Sequence, residues 1–258
     1  MRRLGDRILL AYTIMLFVFL YTPIVSMALV SFNSGRGILK WESFTLEWYT
    51  KALSNEKILN ALFNSAWVAV TVTLLAIAMA LLAAIAVGRY QFRFKLALNT
   101  GLFLAIVVPE IVEALTLMLF FLWIGSPFGA STVIIGHLVW FPIVYVVIRA
   151  RMAGMPRVYE EAARVLGANE LQTFFKITLP LLLPGIITGG LLIFTWSWDS
   201  FIKTQFTRGP GFETLPIYIW NSVGARGRGL SPEVNAIATL SLIISIALAY
   251  LYTRFRGR

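Results

Sequence analysis

Between Ala61 and Gly88 the chain reads ALFNSAWVAVTVTLLAIAMALLAAIAVG, 28 residues without one charged side chain. An α-helix rises about 1.5 Å per residue, so about 20 apolar residues cross the hydrocarbon core of a bilayer. This run exceeds that length. Five further stretches meet it or come near it: Ile8–Ser31 behind the basic start Met1-Arg2-Arg3, about Leu98–Ile124, the shorter Thr132–Ile148, Leu181–Ile202 and Val234–Tyr252. The first is longer than a secretory h-region of about 7–15 residues and lacks a clear small-residue cleavage site, so it is expected to be a retained helix. Together the six runs predict an all-α, polytopic membrane helix bundle of six transmembrane helices, forming one domain over residues 1–258.

The composition of the whole chain agrees. Of 258 residues, 59% are hydrophobic and 13% charged, against about 25% charged in ordinary soluble domains. Mean hydropathy is +0.79. A soluble fold of this size has too little interior to hide that much apolar surface. A water-soluble enzyme, a disordered chain and an ordinary nucleic-acid-binding domain are thereby excluded. There is no cysteine, which excludes disulfides, thiolate metal sites and cysteine nucleophiles. A single histidine, His137, excludes a multi-His metal cluster. It reads as a hydrogen-bonded packing residue in the fourth span, and no metal site is expected.

The net charge is +10, and the placement of the cations gives it meaning. Arg2, Arg3 and Arg7, then Arg89, Arg93 and Lys95, then Arg149, Arg151, Arg157, Arg164 and Lys176, then Arg254, Arg256 and Arg258 fall on one side of the spans. They total 14, against 8 on the other side, in longer loops: Arg36, Lys40, Lys51, Lys57, Lys203, Arg208, Arg226 and Arg228. The positive-inside rule places both termini in the cytoplasm, as an even number of spans requires. The outer loop Asn33–Lys57 carries Trp41, Trp48 and Tyr49, rings suited to a membrane surface. The stretch Lys203–Glu233 contains eight Gly or Pro residues, too many for a continuous helix.

The loop Arg149–Pro180, between spans four and five, is far longer than a simple turn. Its residues 156–180, PRVYEEAARVLGANELQTFFKITLP, read as two short helices. Pro156 suits a first helical turn. Gly167 supplies the left-handed residue that ends the first helix. Asn169 caps the second, with Gln172 completing a capping box. Pro180 then stops or restarts the chain. Tyr159, Ala162, Ala163 and Leu166 share one narrow face of the first helix, and small side chains there permit close approach by another surface. Periodicity alone leaves open an amphipathic loop resting on the membrane.

Here the residues carry a resemblance. Glu161-Ala162-Ala163, Gly167 after three residues, Ile177 after nine more, then Leu179-Pro180, are similar at every specified position to the EAA motif of ABC importer permeases, the inner membrane components of binding-protein-dependent transport. That resemblance implies a cytoplasmic coupling helix that docks on an ATPase subunit, with Glu161, Ala162, Ala163 and Gly167 as docking residues. No Gly-x-x-x-x-Gly-Lys-Ser/Thr sequence is present. ATP and its magnesium are therefore expected on a separate subunit, and no cofactor in this chain. Tyr21-Thr22-Pro23-Ile24, Ser31-Phe32-Asn33-Ser34, Trp48-Tyr49, Arg89-Tyr90-Gln91-Phe92-Arg93, Gly209-Pro210, Leu215-Pro216 and Ser231-Pro232-Glu233-Val234-Asn235-Ala236 resemble the PotC-type branch of spermidine/putrescine permeases. The resemblance implies a bacterial inner-membrane location, a homologous second permease, two ATP-binding subunits and a soluble solute-binding protein as partners. The implied mechanism is alternating access.

Carboxylates inside spans are costly and face a cavity or a partner. Glu110 and Glu113 follow Pro109 and share a helical face. Pro109 removes a backbone donor and favours a broken helix, and interrupted helices mark transport sites. Asp199 lies near the outer end of span five, in Thr195-Trp196-Ser197-Trp198-Asp199-Ser200. The branch carries a second acid where Ser200 stands here. The functional reading is a set of acids guiding a cation, with Trp196 and Trp198 adding cation–π contacts of about 0.5–2 kcal/mol each. The alternative is that these acids pair with basic residues or sit at the water interface. Among functions, a polyamine permease leads. A thiamine-like cation, an amino-acid derivative and a sugar are the other cargoes. An intramembrane acid-pair enzyme leaves the coupling motif unexplained, and an ion-channel subunit is distinguished by ATP-independent conductance.

Overall fold

The computed structural model describes residues 2–35, 40–226 and 232–256. Arg36, Arg228, Ser231 and Arg258, named above, lie outside the described residues. Among the described residues every regular element is helical: α1 (Arg2–Val30), α2 (Glu47–Ser54), α3 (Glu56–Arg89), α4 (Lys95–Val107), α5 (Glu110–Trp123), α6 (Ala130–Leu138), α7 (Phe141–Ala153), α8 (Val158–Val165), α9 (Glu170–Thr173), a π turn (Phe174–Thr178), α10 (Leu179–Trp198), α11 (Ile202–Thr207), α12 (Leu215–Arg226) and α13 (Pro232–Arg256). Among the described residues five helices are long and apolar enough to cross a membrane, or six if the bent pair α4–α5 counts as one span.

Residues 1–59 and 218–244 form one compact unit, and residues 60–217 and 245–258 a second. In the first, α1 exposes Ile8, Leu9, Met15, Phe17, Phe19 and Val25. Such a surface calls for lipid or another chain. The segment after α1 is pinned by side chains. The Asn33 amide oxygen accepts from the Glu42 N–H at 2.9 Å, and the Trp48 indole donates to the Asn33 carbonyl at 2.7 Å. Phe32 packs between the rings of Phe44 and Tyr49. Trp48 is thus buried against its own loop rather than laid on a membrane surface. Asn55 donates to Glu233 at 2.8 Å, joining α2 to the start of α13.

The second unit is built on α3, α7 and α10. Ala76, Ala80 and Ala84 recur every four residues on α3 and are fully buried with Val72 and Val87. Against them lie Val144, Tyr145 and Ile148 of α7 and Leu182, Ile186 and Ile193 of α10. Close helix approach in a bilayer depends on small residues. At Gly189 an added Cβ would lie 2.9 Å from Val144 Cγ1, and at Gly185 3.0 Å from Arg151 Cβ. These two glycines set the α7–α10 contact.

Several boundaries depart from the sequence expectation. The span expected over Leu98–Ile124 is two helices meeting at 108°. Val108, ahead of Pro109, is extended at φ −66°, ψ 130°, because a following proline disfavours the helical region. The span expected over Thr132–Ile148 is longer, Ala130–Ala153, and steps from α6 into α7. Pro156 precedes α8 rather than opening it. Pro180 does not stop the chain: α9, the π turn and α10 run on as one 29-residue helix, Glu170–Trp198. A proline near the start of α10 lacks the N–H that would bond the carbonyl four residues earlier, and the wider π turn sits there instead. That helix ends at Trp198, so Ile202 begins α11 instead of closing span five. Lys203, counted above with the outer loops, is fully buried.

Candidate functional site

Two places in the second unit gather the singled-out residues. The first is α8. Gly167 has φ +87°, and the Ala168 N–H reaches back to the Ala163 carbonyl at 3.0 Å. This is the left-handed closure that glycine favours. The Asn169 carboxamide oxygen accepts from the Gln172 N–H at 2.8 Å, and the Gln172 side chain accepts from the Asn169 N–H at 3.1 Å. Both stop and restart therefore follow the sequence. Glu161 and Ala162 are exposed and Ala163 partly so. Val165 and Leu166 are each 87% exposed. Ile177 and Leu179 are half-buried, Leu179 against the helical core, and Pro180 is exposed.

What holds α8 is a residue the motif does not specify. Glu160 is turned inward and buried. Its carboxylate meets Arg89 Nε at 3.0 Å and accepts from Thr178 Oγ1 at 2.9 Å. Arg157 Nη2 donates to the Gly88 carbonyl at 3.2 Å. So α8 is tied to the end of α3 and to the π turn that leads into α10. The sequence signal was slight: an acid beside the motif, and an arginine ending the long apolar run.

The second place is a cavity of about 640 Å³ at the α4–α5 bend. Glu110, Glu113, Trp140, Trp196 and Asp199 line it, with Val108, Ile143 and Ile202 among the apolar walls. The break at Pro109 puts Glu110 and Glu113 in the first turn of α5, where the helix dipole favours anions. Asp199 is exposed at the end of α10, and the Ser245 hydroxyl donates to it at 3.2 Å. Trp198 is not in the lining. It is buried and stacks on Phe194.

Glu113 lies 2.6 Å from Lys203 Nζ. The same ammonium stands 3.9 Å over the centre of the Trp140 ring. Trp140 meets Trp196 edge-to-face at 5.7 Å between centroids. Behind this wall His137 is a packing residue, its Nδ1 2.8 Å from Ser197 Oγ and its Nε2 3.0 Å from Thr204 Oγ1. Lys203, Trp140 and Thr204 were not singled out in the sequence. Among the described residues no group of three or more metal-ligating side chains comes together.

A broken helix with acids at its new N-terminus, an adjoining cavity and an exposed helix on a long loop is the arrangement of a transport component. Residues 76–257 match the family described as binding-protein-dependent transport system inner membrane component. The chain belongs to that family. It is therefore a permease component and not an enzyme. It is 36% identical to the spermidine/putrescine transport system permease protein PotC of Haemophilus influenzae over 242 residues, 93% of either chain. It is 34% identical to the putrescine transport system permease protein PotI of Escherichia coli over 250 residues, 92% of this chain and 88% of that one. In fold it is similar to a bacterial ABC transporter that imports alginate, with a TM-score of 0.74 at 17% identity, covering 98% of this chain and 96% of the other. The MetNI methionine ABC transporter in an inward-facing form gives 0.57 at 18% identity, covering 79% and 98%.

Proposed function

We propose that this chain is one of two permease subunits of an ATP-driven importer and forms half of the pathway for a linear polyamine, spermidine or putrescine. The homologous second permease supplies the other half. Two ATP-binding subunits hold ATP and magnesium, and one of them docks on α8 through Glu161, Ala162, Ala163 and Gly167. A solute-binding protein delivers cargo on the opposite side. The whole chain works as a single membrane domain, with both termini in the cytoplasm, as the excess of Lys and Arg in the corresponding loops supports.

One observation carries this reading: α8 bears the coupling pattern and presents Val165 and Leu166 almost wholly exposed on a segment rich in charge. Exposed apolar side chains at such a place mark a protein contact. Names of the curated relatives support the polyamine, and so does the cavity. Glu110 and Asp199 offer carboxylates to ammonium groups, and Trp196, 39% exposed, offers a ring face. Transient contacts of this kind offset lost hydration without trapping the cation.

The test is uptake in proteoliposomes holding the chain with its partner permease, ATPase subunits and binding protein. ATP-dependent accumulation of radiolabelled spermidine or putrescine is expected. Uptake of a neutral sugar but of neither polyamine contradicts the cargo. Conductance or turnover without the ATPase contradicts the importer.

A further inference from the structure

Behind the cavity lining, against Glu113 and Trp140, lies a cation that belongs to the chain itself. Lys203 is fully buried and Glu113 is 8% exposed. Their 2.6 Å contact and the Trp140 face at 3.9 Å give the ammonium a carboxylate and an indole, the two groups an incoming ammonium would seek. Lys203 cannot readily swing away. Its helix α11 is tied by the Thr204–His137 contact at 3.0 Å and by the Thr132 hydroxyl, which donates to the Thr207 carbonyl at 2.7 Å. Among the described residues neither Glu110 nor Asp199 lies within ion-pairing distance of a cation. The wall thus carries three carboxylates, with one buried ammonium behind it.

We propose that Lys203 is a specificity-determining residue: by neutralising Glu113 it sets the wall at two net negative charges and limits the preference for the more highly charged polyamine over the less charged one. This rests on the polyamine reading above. Putrescine carries two charges at neutral pH and spermidine three. A wall of two negative charges balances the first and slightly under-balances the second, so both can enter and leave. With Lys203 gone, Glu113 faces the cavity uncompensated and the count rises to three.

Uptake of spermidine and putrescine is measured side by side in proteoliposomes holding the complete complex. Each ratio is referred to that of the native complex, which cancels the binding protein's own preference. Lys203→Met raises the spermidine-to-putrescine ratio by on the order of tenfold, the scale of one added charge contact in a partly shielded site. Lys203→Met combined with Glu113→Gln removes one charge of each sign, leaves no buried charge unpaired, and returns the ratio to native. Glu113→Gln alone lowers the ratio, and it carries the test if Lys203→Met does not accumulate in the membrane. An unchanged ratio in either single variant, or a paired variant whose ratio departs from native, overturns the proposal. A native complex that takes up neither polyamine overturns the substrate reading and this inference with it, and is distinguished because it is seen before any variant is made.

Discussion

Single residues divide into those whose role follows from neighbours in sequence and those that depend on distant ones. Gly167 and Asn169 belong to the first kind, because a helix stop and an N-cap are local chemistry. Glu113 and Lys203 belong to the second. They are 90 positions apart, and nothing in the spacing of either shows that a cation placed after span five would turn inward to meet an acid of α5. Trp196 and Trp198 are two apart, which on a helix points them in different directions. One lines the cavity and the other packs on Phe194. Two outcomes follow from the residue-level contacts. Asp199→Asn removes an exposed cavity carboxylate and should raise the KM for polyamine uptake by about tenfold, the scale of one hydrogen bond to a charged group, with the chain still inserted. Glu160→Gln removes the charge that Arg89 and Thr178 meet. It should lower the uptake obtained per ATP hydrolysed while the ATPase still assembles, read as the ratio of the two rates in proteoliposomes. Unaltered coupling in that variant would show that α8 is positioned without Glu160.

Elements were legible where one physical rule dominated. Unbroken apolar length located α1, α3 and α13, and the proline rule located the break between α4 and α5. The rule said nothing of the 108° angle, which depends on packing against α7 and α11. Pro180 misled because its effect is absorbed by the π turn, and a π turn has no signature in residue spacing. The α7–α10 contact gives a sharp prediction. Gly189→Leu places side-chain atoms where Val144 already lies and should destabilise the helix pair by about 1–3 kcal/mol or more, seen as a lower unfolding temperature in detergent. Gly101→Ala on α4 is the control. A Cβ there meets no heavy atom within 4 Å, and exchanging glycine for alanine within a helix is neutral or favours folding by about 0.5–1 kcal/mol. Equal effects at the two sites would contradict the close-packed account. Gly167→Asp belongs to the same scale. It forces a side chain into φ +87° and puts an anion at the negative end of α8, so uptake should be lost while the chain remains in the membrane.

For the whole molecule, composition and span count announced a membrane helical protein before any contact was known. What they could not show is how a long apolar α1, exposed along its length, and an exposed α8 are covered, since partners lie outside the chain's own sequence. The central claim is that α8 transmits the motion of an ATP-binding subunit. The chain has no cysteine of its own, so a single Ala163→Cys substitution gives a unique handle on α8. In the assembled complex, cross-linking from that position should capture the ATP-binding subunit, with a yield that changes when ATP is bound and again after hydrolysis. Cross-linking only to lipid, or a yield on the ATP-binding subunit no greater than from a cysteine at the exposed α1 position Phe19, would contradict it.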